Sequence, residues 1–322
     1  MTDTLIEQAD RLVAAGRVGD AAALLHAAGD SGDVDALFRL AAWQLIGDPL
    51  PRNVPAAYAL LSRARMIGHV DAALMEIALT ANGSAGPDDW TRALSLLTGA
   101  AGADPVAAEQ LRLVRAMRLT TDGKPVTQPA PRPVSEQPHV RHFPALLTAD
   151  ECVHLARTAD PLFEPASVLD PASGRRVRHP VRNADEAAIG PAREDLVVRA
   201  INLRIAAASG TDVAAGEPLT ILRYGPGQQY RPHHDAIAGV ANQRAWTMLV
   251  WLNDGYAGGE TRFSPSGLTV KGRRGDGLLF RNLLPDGRPD PAAQHAGLPV
   301  TAGHKWMATR WIRQAPLDLW AS

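Results

Sequence analysis

Leu219-Thr220-Ile221-Leu222-Arg223-Tyr224-Gly225-Pro226-Gly227-Gln228-Gln229-Tyr230-Arg231-Pro232-His233-His234-Asp235 decides how the second half of this chain is read. Its opening residues are largely apolar and β-branched, as in a buried strand, and Gly225-Pro226-Gly227 is turn punctuation. Gln228 to Pro232 then leads into a second extended run. On a strand, residues i and i+2 share a face. His233 and Asp235 therefore point together, and His234 points the other way. The alternative register brings His234 out beside Ala236, which cannot ligate. Two imidazoles and one carboxylate form the ligand set of a non-haem Fe(II) centre that keeps positions open. His295 is the candidate for the second imidazole.

Further strands are expected at Trp246–Leu252, Gly277–Phe280 and Trp306–Ile312, separated by clusters of Gly, Pro, Asn and Asp. Short strands with such punctuation suggest a sandwich or barrel, and the expectation is a jelly-roll-like barrel with the metal in its mouth. Lys305 heads an otherwise apolar strand, where a charge needs a partner. His304 competes with His295 as third ligand, but if Lys305 points inward its neighbour points out. His26, His69, His139, His142, His154 and His179 are read as structural or solvent-exposed.

Tyr224-x-x-Gly227-Gln228-x-Tyr230-x-x-His233-x-Asp235 resembles the metal-binding segment of the prolyl 4-hydroxylases, which are Fe(II)/2-oxoglutarate-dependent dioxygenases. The resemblance continues in order through Gly258-Gly259-Glu260-Thr261-x-Phe263, Leu268-x-Val270-Lys271 and Gly275-Asp276-Gly277-Leu278-Leu279-Phe280. It ends with Asn282-Leu283-x-Pro285-Asp286-Gly287, His295-Ala296-Gly297-x-Pro299-Val300 and Lys305-Trp306-x-Ala308-Thr309-x-Trp311-Ile312. Phe143-Pro144-x-Leu146-Leu147-Thr148-x-x-Glu151-Cys152 is more loosely similar to the family's domain entry.

The resemblance implies that His233, Asp235 and His295 hold Fe(II). It implies that Lys305 pairs with the distal carboxylate of 2-oxoglutarate, with Tyr224 and Thr261 as hydrogen-bonding neighbours and Trp311 at the border of the cosubstrate. Taken alone, Tyr224 and Thr261 are ordinary strand residues, Trp311 is core and Arg244 is a solvated turn charge. Tyr230, Arg244 and Arg182 match family positions on the substrate side. The implied reaction consumes O2 and 2-oxoglutarate, releases succinate and CO2, and hydroxylates a C–H bond, with ascorbate as reductant. Asp235 favours hydroxylation, since halogenating members of the wider superfamily lack that carboxylate. A prolyl residue of a peptide or protein is the implied substrate. The stretch from Leu169 to Pro191 is read as a loop at the barrel mouth. It follows Arg182 with Asn183-Ala184 where the family has a hydroxyl residue, a departure that bears on proline specificity and leaves the iron ligands untouched.

Gly225-x-Gly227 and Gly272-Arg273-Arg274-Gly275-Asp276-Gly277 lack a strand-to-helix context and are turns, not phosphate cradles. No Cys-x-x-Cys, His-Glu-x-x-His or serine nucleophile elbow is present. Cys152 is the single cysteine, which excludes a disulfide and a cysteine-rich zinc site. With no signal peptide and no long apolar run, the expectation is a reducing cytoplasm and no membrane association. Thirty-three Lys and Arg against 34 Asp and Glu leave a net charge of -1, which gives no electrostatic argument for nucleic acid.

A length of 322 residues suggests two domains. Gly123 to Pro138 holds five prolines among polar residues, the composition of a semi-rigid linker. Upstream the chain is rich in Ala and Leu and repeats itself. Leu24-Leu25, Leu60-Leu61 and Leu96-Leu97 recur at 36-residue intervals, as do Ala21, Ala57 and Ala93, and Ala28, Ala64 and Ala100, with Val18, Val54 and Trp90 marking the starts. A mid-thirties period means stacked helix pairs, and the segment resembles Sel1-like repeats, relatives of the tetratricopeptide class. The expected architecture is multi-domain α and β: an N-terminal α-solenoid of helix pairs (1–119), a Pro-rich linker (120–138), and a double-stranded β-helix (jelly-roll) catalytic domain with flanking helices (139–322). The solenoid either recruits a peptide or protein substrate or mediates assembly. Two other functional readings stand beside the prolyl one: hydroxylation of a free amino acid or small metabolite, and a protein-interaction scaffold with a vestigial dioxygenase domain.

Overall fold

The computed structural model describes residues 4–169, 176–178 and 181–320. The chain divides into two compact units, Met1–Gly123 with Pro191–Arg199, and Lys124–Gly190 with Ala200–Ser322. His179 lies outside the described residues.

The first unit holds α1 (Leu5–Ala14), α2 (Val18–Asp30), α3 (Val34–Ile46), α4 (Val54–Met66), α5 (Val70–Asn82), α6 (Trp90–Ala100) and α7 (Pro105–Ala116), each packed against the next. The 36-residue interval has a physical form. Helices α2, α4 and α6 begin on Val18, Val54 and Trp90. Ala21, Ala57 and Ala93 are sealed from solvent, as are Leu25, Leu61 and Leu97 one turn on, where i and i+4 share a helix face. The caps repeat as well. Asp33, His69 and Asp104 each accept a hydrogen bond from the backbone N–H of the third residue onward, Ala36, Ala72 and Ala107, which satisfies an otherwise orphaned donor. Gly47 and Gly83 end α3 and α5 in the left-handed region that glycine adopts without strain.

The second unit is mainly antiparallel sheet. Its strands are β1 (Arg132–Glu136), β2 (His139–Phe143), β3 (Glu164–Pro165), β4 (Ser167–Leu169), β5 (Arg176–Arg178), β6 (Asp185–Ile189), β7 (Leu219–Tyr224) and β8 (Tyr230–His233). They continue as β9 (Arg244–Trp251), β10 (Tyr256–Gly258), β11 (Thr261–Phe263), β12 (Thr269–Val270), β13 (Gly277–Arg281), β14 (His295–Gly297), β15 (Val300–Gly303) and β16 (Lys305–Arg313). Helix α8 (Ala149–Ala159) opens on a Thr148/Glu151 capping box, and α9 (Leu196–Ser209) sends Arg204 to both oxygens of Glu151.

Eight strands form one sheet in the order β1-β2-β13-β9-β16-β7-β6-β3, and four form another in the order β12-β11-β14-β8. Val140, Leu249, Trp251, Phe263, Leu278, Phe280 and Met307 pack as one buried cluster drawn from both sheets. The jelly-roll expectation is met in this two-sheet form, but the sheets do not close into a barrel. The outer strands of the small sheet, β12 and β8, pair with no strand of the large one among the described residues.

Three sequence expectations need correction. Residues 132–136 are not linker: β1 pairs with β2 and forms the edge of the large sheet, where the missing N–H of Pro133 costs no ladder bond. Leu169 to Pro191 is not simply a loop, since β6 runs beside β7 with Ala187 opposite Ile221. Strand β8 ends at His233, so Asp235 lies beyond it, and strand alternation does not account for its direction. Among the described residues no helix is long and apolar enough to cross a membrane.

Candidate metal centre

His233 and His295 are direct cross-strand partners in the antiparallel pair of β8 and β14. That register puts both imidazoles on one face, with ring centroids 4.3 Å apart. Each ring is fixed from behind. The Nδ1 of His233 lies 2.8 Å from the carbonyl of Arg231, and that of His295 lies 3.0 Å from the carbonyl of Ala293. With Nδ1–H donating to a carbonyl, Nε2 presents its lone pair, the arrangement that holds a ligating histidine in one tautomer.

Asp235 completes the cluster. Its Oδ1 is 3.6 Å from His233 Nε2 and its Oδ2 is 3.8 Å from His295 Nε2, both longer than hydrogen bonds. One ligand atom from each of the three residues lies within 4.8 Å of the others, and among the described residues no other His, Cys, Asp or Glu group does this. Buried His233 Nε2 has no hydrogen-bond partner among the described residues. A buried polar atom without a partner is costly. Two nitrogens and one carboxylate oxygen, held close without satisfying one another, fit a non-haem iron. Burial, reinforced by His233, pushes the His295 pKa down to about 4, so the ring is neutral at physiological pH. Burial works to raise the Asp235 carboxyl, but His295, His233 and Arg244 outweigh it and hold the group well below the usual carboxylate range.

Because Asp235 sits past the end of its strand, its orientation comes from elsewhere. Thr247 Oγ1 donates to Asp235 Oδ2 at 2.6 Å and accepts from Asn282 Nδ2 at 2.9 Å. All three side chains are buried.

A single cavity between the two sheets runs from these ligands to Lys305. The β7–β16 register places Lys305 opposite Tyr224, and Thr261 on β11 lies opposite Gly297. Alternate residues of β16, namely Lys305, Met307, Thr309 and Trp311, line the cavity, as the period of two requires. Lys305 is 3% exposed and donates to the Gly259 carbonyl at 2.7 Å. Burial lowers its pKa to about 7, against the opposing pull of Glu260. Thr309 Oγ1 and Trp311 Nε1 are buried without a hydrogen-bond partner among the described residues. A buried cationic end fits a carboxylate-bearing cosubstrate, while the two spare polar atoms lie further along β16, toward Thr247, which Trp311 faces across the β9 ladder.

Of the three substrate-side candidates, only Tyr230 lines the cavity. It stacks on His233 at 3.4 Å between centroids. Arg182 lies over the Tyr230 ring and is ion-paired with Glu186. Arg244 is neither a solvated turn charge nor a wall of the cavity. It begins β9, is clasped by both oxygens of Glu217 at 2.7 Å, and stacks 4.1 Å over Trp311. Both arginines therefore act on the cavity through the ring each supports. Asn183, the departure from the family pattern, accepts from Gln229 N–H at 2.7 Å and ties this segment to the approach of β8. His234 and His304 are exposed. Sequence reasoning misses Thr247, Glu217 and Thr309: for Thr247 and Thr309 the only signal is alternation on β9 and β16, which marks a face without saying what it meets, and Glu217, ahead of β7, carries none.

The sequence model of the 2OG-Fe(II) oxygenase superfamily matches residues 219–313. Prolyl 4-hydroxylase 1 of Arabidopsis thaliana is 34% identical over 203 residues, spanning 57% of this chain and 72% of that protein. Probable prolyl 4-hydroxylase 10 of the same organism is 33% identical over 204 residues, spanning 56% and 70%. Among solved structures, the viral collagen prolyl hydroxylase of Paramecium Bursaria Chlorella virus-1 in its 2OG complex covers 55% of this chain and 96% of its own. Its identity is 24% and its TM-score 0.44.

Proposed function

Since the chain belongs to the 2OG-Fe(II) oxygenase superfamily, as a prolyl 4-hydroxylase-like 2-oxoglutarate-dependent dioxygenase, we propose that it hydroxylates a prolyl residue of a peptide or protein. The observation that carries the reading is the cavity in which His233, Asp235 and His295 meet at one end and buried Lys305 stands at the other. His233, Asp235 and His295 would hold Fe(II), with Nδ1 of each histidine kept on a backbone carbonyl. Lys305 would take the far carboxylate of 2-oxoglutarate, assisted by Thr261 and Tyr224, with Trp311 as a wall. Bound iron, with O2 and 2-oxoglutarate, supplies the oxidising power for an unactivated C–H bond. The chain supplies position and exclusion of water: buried Leu222, Leu249 and Met307 line the space between the two ends.

The proline assignment is supported by the relatives' names and by the Tyr230 ring, a flat apolar wall against the metal ligands. Arg182 and Asn183 position that ring and its strand, and thereby act on specificity. The helical repeats, which we read as Sel1-like, serve to recruit the substrate protein. Ascorbate is the reductant that would keep the iron ferrous.

The test is incubation of the full chain with Fe(II), 2-oxoglutarate and ascorbate, offering proline-containing peptides and free amino acids separately. Intact mass and succinate are followed together. The expected result is one added oxygen on the peptide, with stoichiometric succinate. Oxygen added only to a free amino acid would overturn the peptidyl assignment. No succinate with any substrate would overturn turnover itself.

A further inference from the structure

Behind Lys305, on the other face of the large sheet, lies a second cavity of about 480 Å3, walled by α8, Leu252, Asn253, Arg274 and Trp306. Small-molecule pockets run from roughly 300 to 1,000 Å3. Side chains alternate along β16, so Lys305 faces the metal-side cavity and Trp306 faces this one.

The walls specify a ligand. The Trp306 indole, braced edge-on by Phe163 at 5.1 Å, offers a flat apolar surface, and Pro161 and Leu252 continue it. Arg157 and Arg274 reach the same space, and neither guanidinium enters an ion pair among the described residues. Asp160, the carboxylate on the wall, lies 3.7 Å from Arg223. Two planar guanidinium forks suit a planar carboxylate. Cys152 adds no reactivity, since burial and neighbouring Glu151 push its thiol up to about 12.

Asn253 joins the two cavities. Its Nδ2 donates to the His304 carbonyl at 2.8 Å and its Oδ1 accepts from Trp306 N–H at 2.9 Å. The Leu252 N–H reaches the Trp306 carbonyl at 3.0 Å. One side chain on the wall of the outer cavity thus holds the backbone on both sides of Lys305. We propose that the outer cavity binds a flat, apolar-bodied carboxylate, and that its occupancy alters cosubstrate binding through Asn253 and the 304–306 backbone. The binding claim stands by itself; the effect on cosubstrate rests on the dioxygenase reading.

2-Naphthoate is the probe, titrated into the full chain by calorimetry. Saturable binding is expected, weakened about tenfold or more in Arg157→Ala/Arg274→Ala, which removes both charged contacts from exposed positions. No saturable binding, equal affinity in the double variant, or complete displacement by 2-oxoglutarate in that variant as in wild type would each overturn the site. Hydrogen exchange at the 304–306 amides should change on adding naphthoate; unchanged exchange overturns the coupling. With Mn(II) under nitrogen, saturating naphthoate should shift the 2-oxoglutarate Kd by about fivefold or more, and Asn253→Ala should remove the shift. An unmoved Kd also overturns the coupling. Absence of any 2-oxoglutarate binding would instead count against the dioxygenase reading, with the calorimetry and exchange arms still deciding the site and its link to residues 304–306.

Discussion

Thr247 Oγ1 donates to Asp235 Oδ2 at 2.6 Å, and this bond, not the strand, aims the carboxylate at the two imidazoles. With Oδ2 occupied, Oδ1 is the oxygen free to ligate. Thr247→Val keeps the shape and removes the donor, and it also leaves Asn282 Nδ2 without its acceptor. Outer-shell partners of this kind are worth about 10–100-fold in metal affinity. Thr247→Val should weaken Mn(II) or Co(II) binding by about that factor in a titration of the metal-free protein, and Thr247→Ser should restore most of it. Equal affinity in the valine variant would show that Asp235 is oriented by something else.

The direct ligands give a sharper outcome. His295→Ala or Asp235→Ala removes one of three donor atoms and should abolish both metal-dependent 2-oxoglutarate turnover and high-affinity metal binding. Circular dichroism separates this from unfolding. Wild-type succinate production in either variant would sink the site.

How much of this was legible in the chain follows from distance along it. His233 and His295 could be singled out because a period of two and an ordered set of motifs are written in the sequence. That they face each other depends on the β8–β14 register, which is not. Strand alternation points to Asp235, yet that residue sits past the strand end, so the motif and not that geometry carries its assignment. Asn282 meets Thr247 only once β9 and β13 lie side by side, and Thr247 meets Asp235 only when the segment after β8 comes over β9; no local pattern carries either contact. Proline concealed β1, because an edge strand tolerates at Pro133 what a central strand would not. The 36-residue period was readable because stacked helices contact their sequence neighbours.

Lys305 sets a pH dependence. Its usual value of 10.5 falls to about 7 in the folded chain because burial disfavours the cation. Cosubstrate binding needs the cation, so 2-oxoglutarate affinity should fall about tenfold per pH unit above pH 7. Calorimetry with Mn(II) between pH 6 and 9 measures it, and Lys305→Arg, which stays charged, should flatten the profile. Without cosubstrate the effect on stability has the opposite sense. Between the two values the unfolded chain holds more protons, so stability rises with pH. This contribution is complete above 10.5 and is lost as pH falls to about 7. Urea unfolding of wild type against Lys305→Met should show that slope in wild type alone.

Gly259 is the floor on which Lys305 rests. It adopts φ +68°, and a Cβ there would stand 3.1 Å from Lys305 Cδ, 3.2 Å from Val300 Cγ2 and 3.3 Å from Tyr256 Cε2. Gly259→Ala therefore combines a left-handed backbone, costing about 1–2 kcal/mol, with displacement of the lysine stem. The KM for 2-oxoglutarate should rise about tenfold with kcat little changed, the signature of lost ground-state binding. Mn(II) affinity should stay at the wild-type value, since the metal ligands sit at the far end of the cavity. A fall in kcat with KM unmoved would place Gly259 in some other role.

The helical unit can be tested through its period. Leu61 on α4 is fully buried, as Leu25 and Leu97 are at the equivalent places on α2 and α6. Leu61→Ala deletes methyl groups from a packed interface and leaves a cavity, which costs about 2–5 kcal/mol. In a stacked array stability is a sum of repeat and nearest-neighbour terms, so the loss should appear as earlier melting of helical circular dichroism. Mn(II) affinity, set by strands of the other unit, should not change at temperatures where the variant remains folded. If the substitution weakened metal binding at those temperatures, the two units would not be independent in stability. If it left melting unchanged, Leu61 would not be the buried helix contact that its place in the period requires.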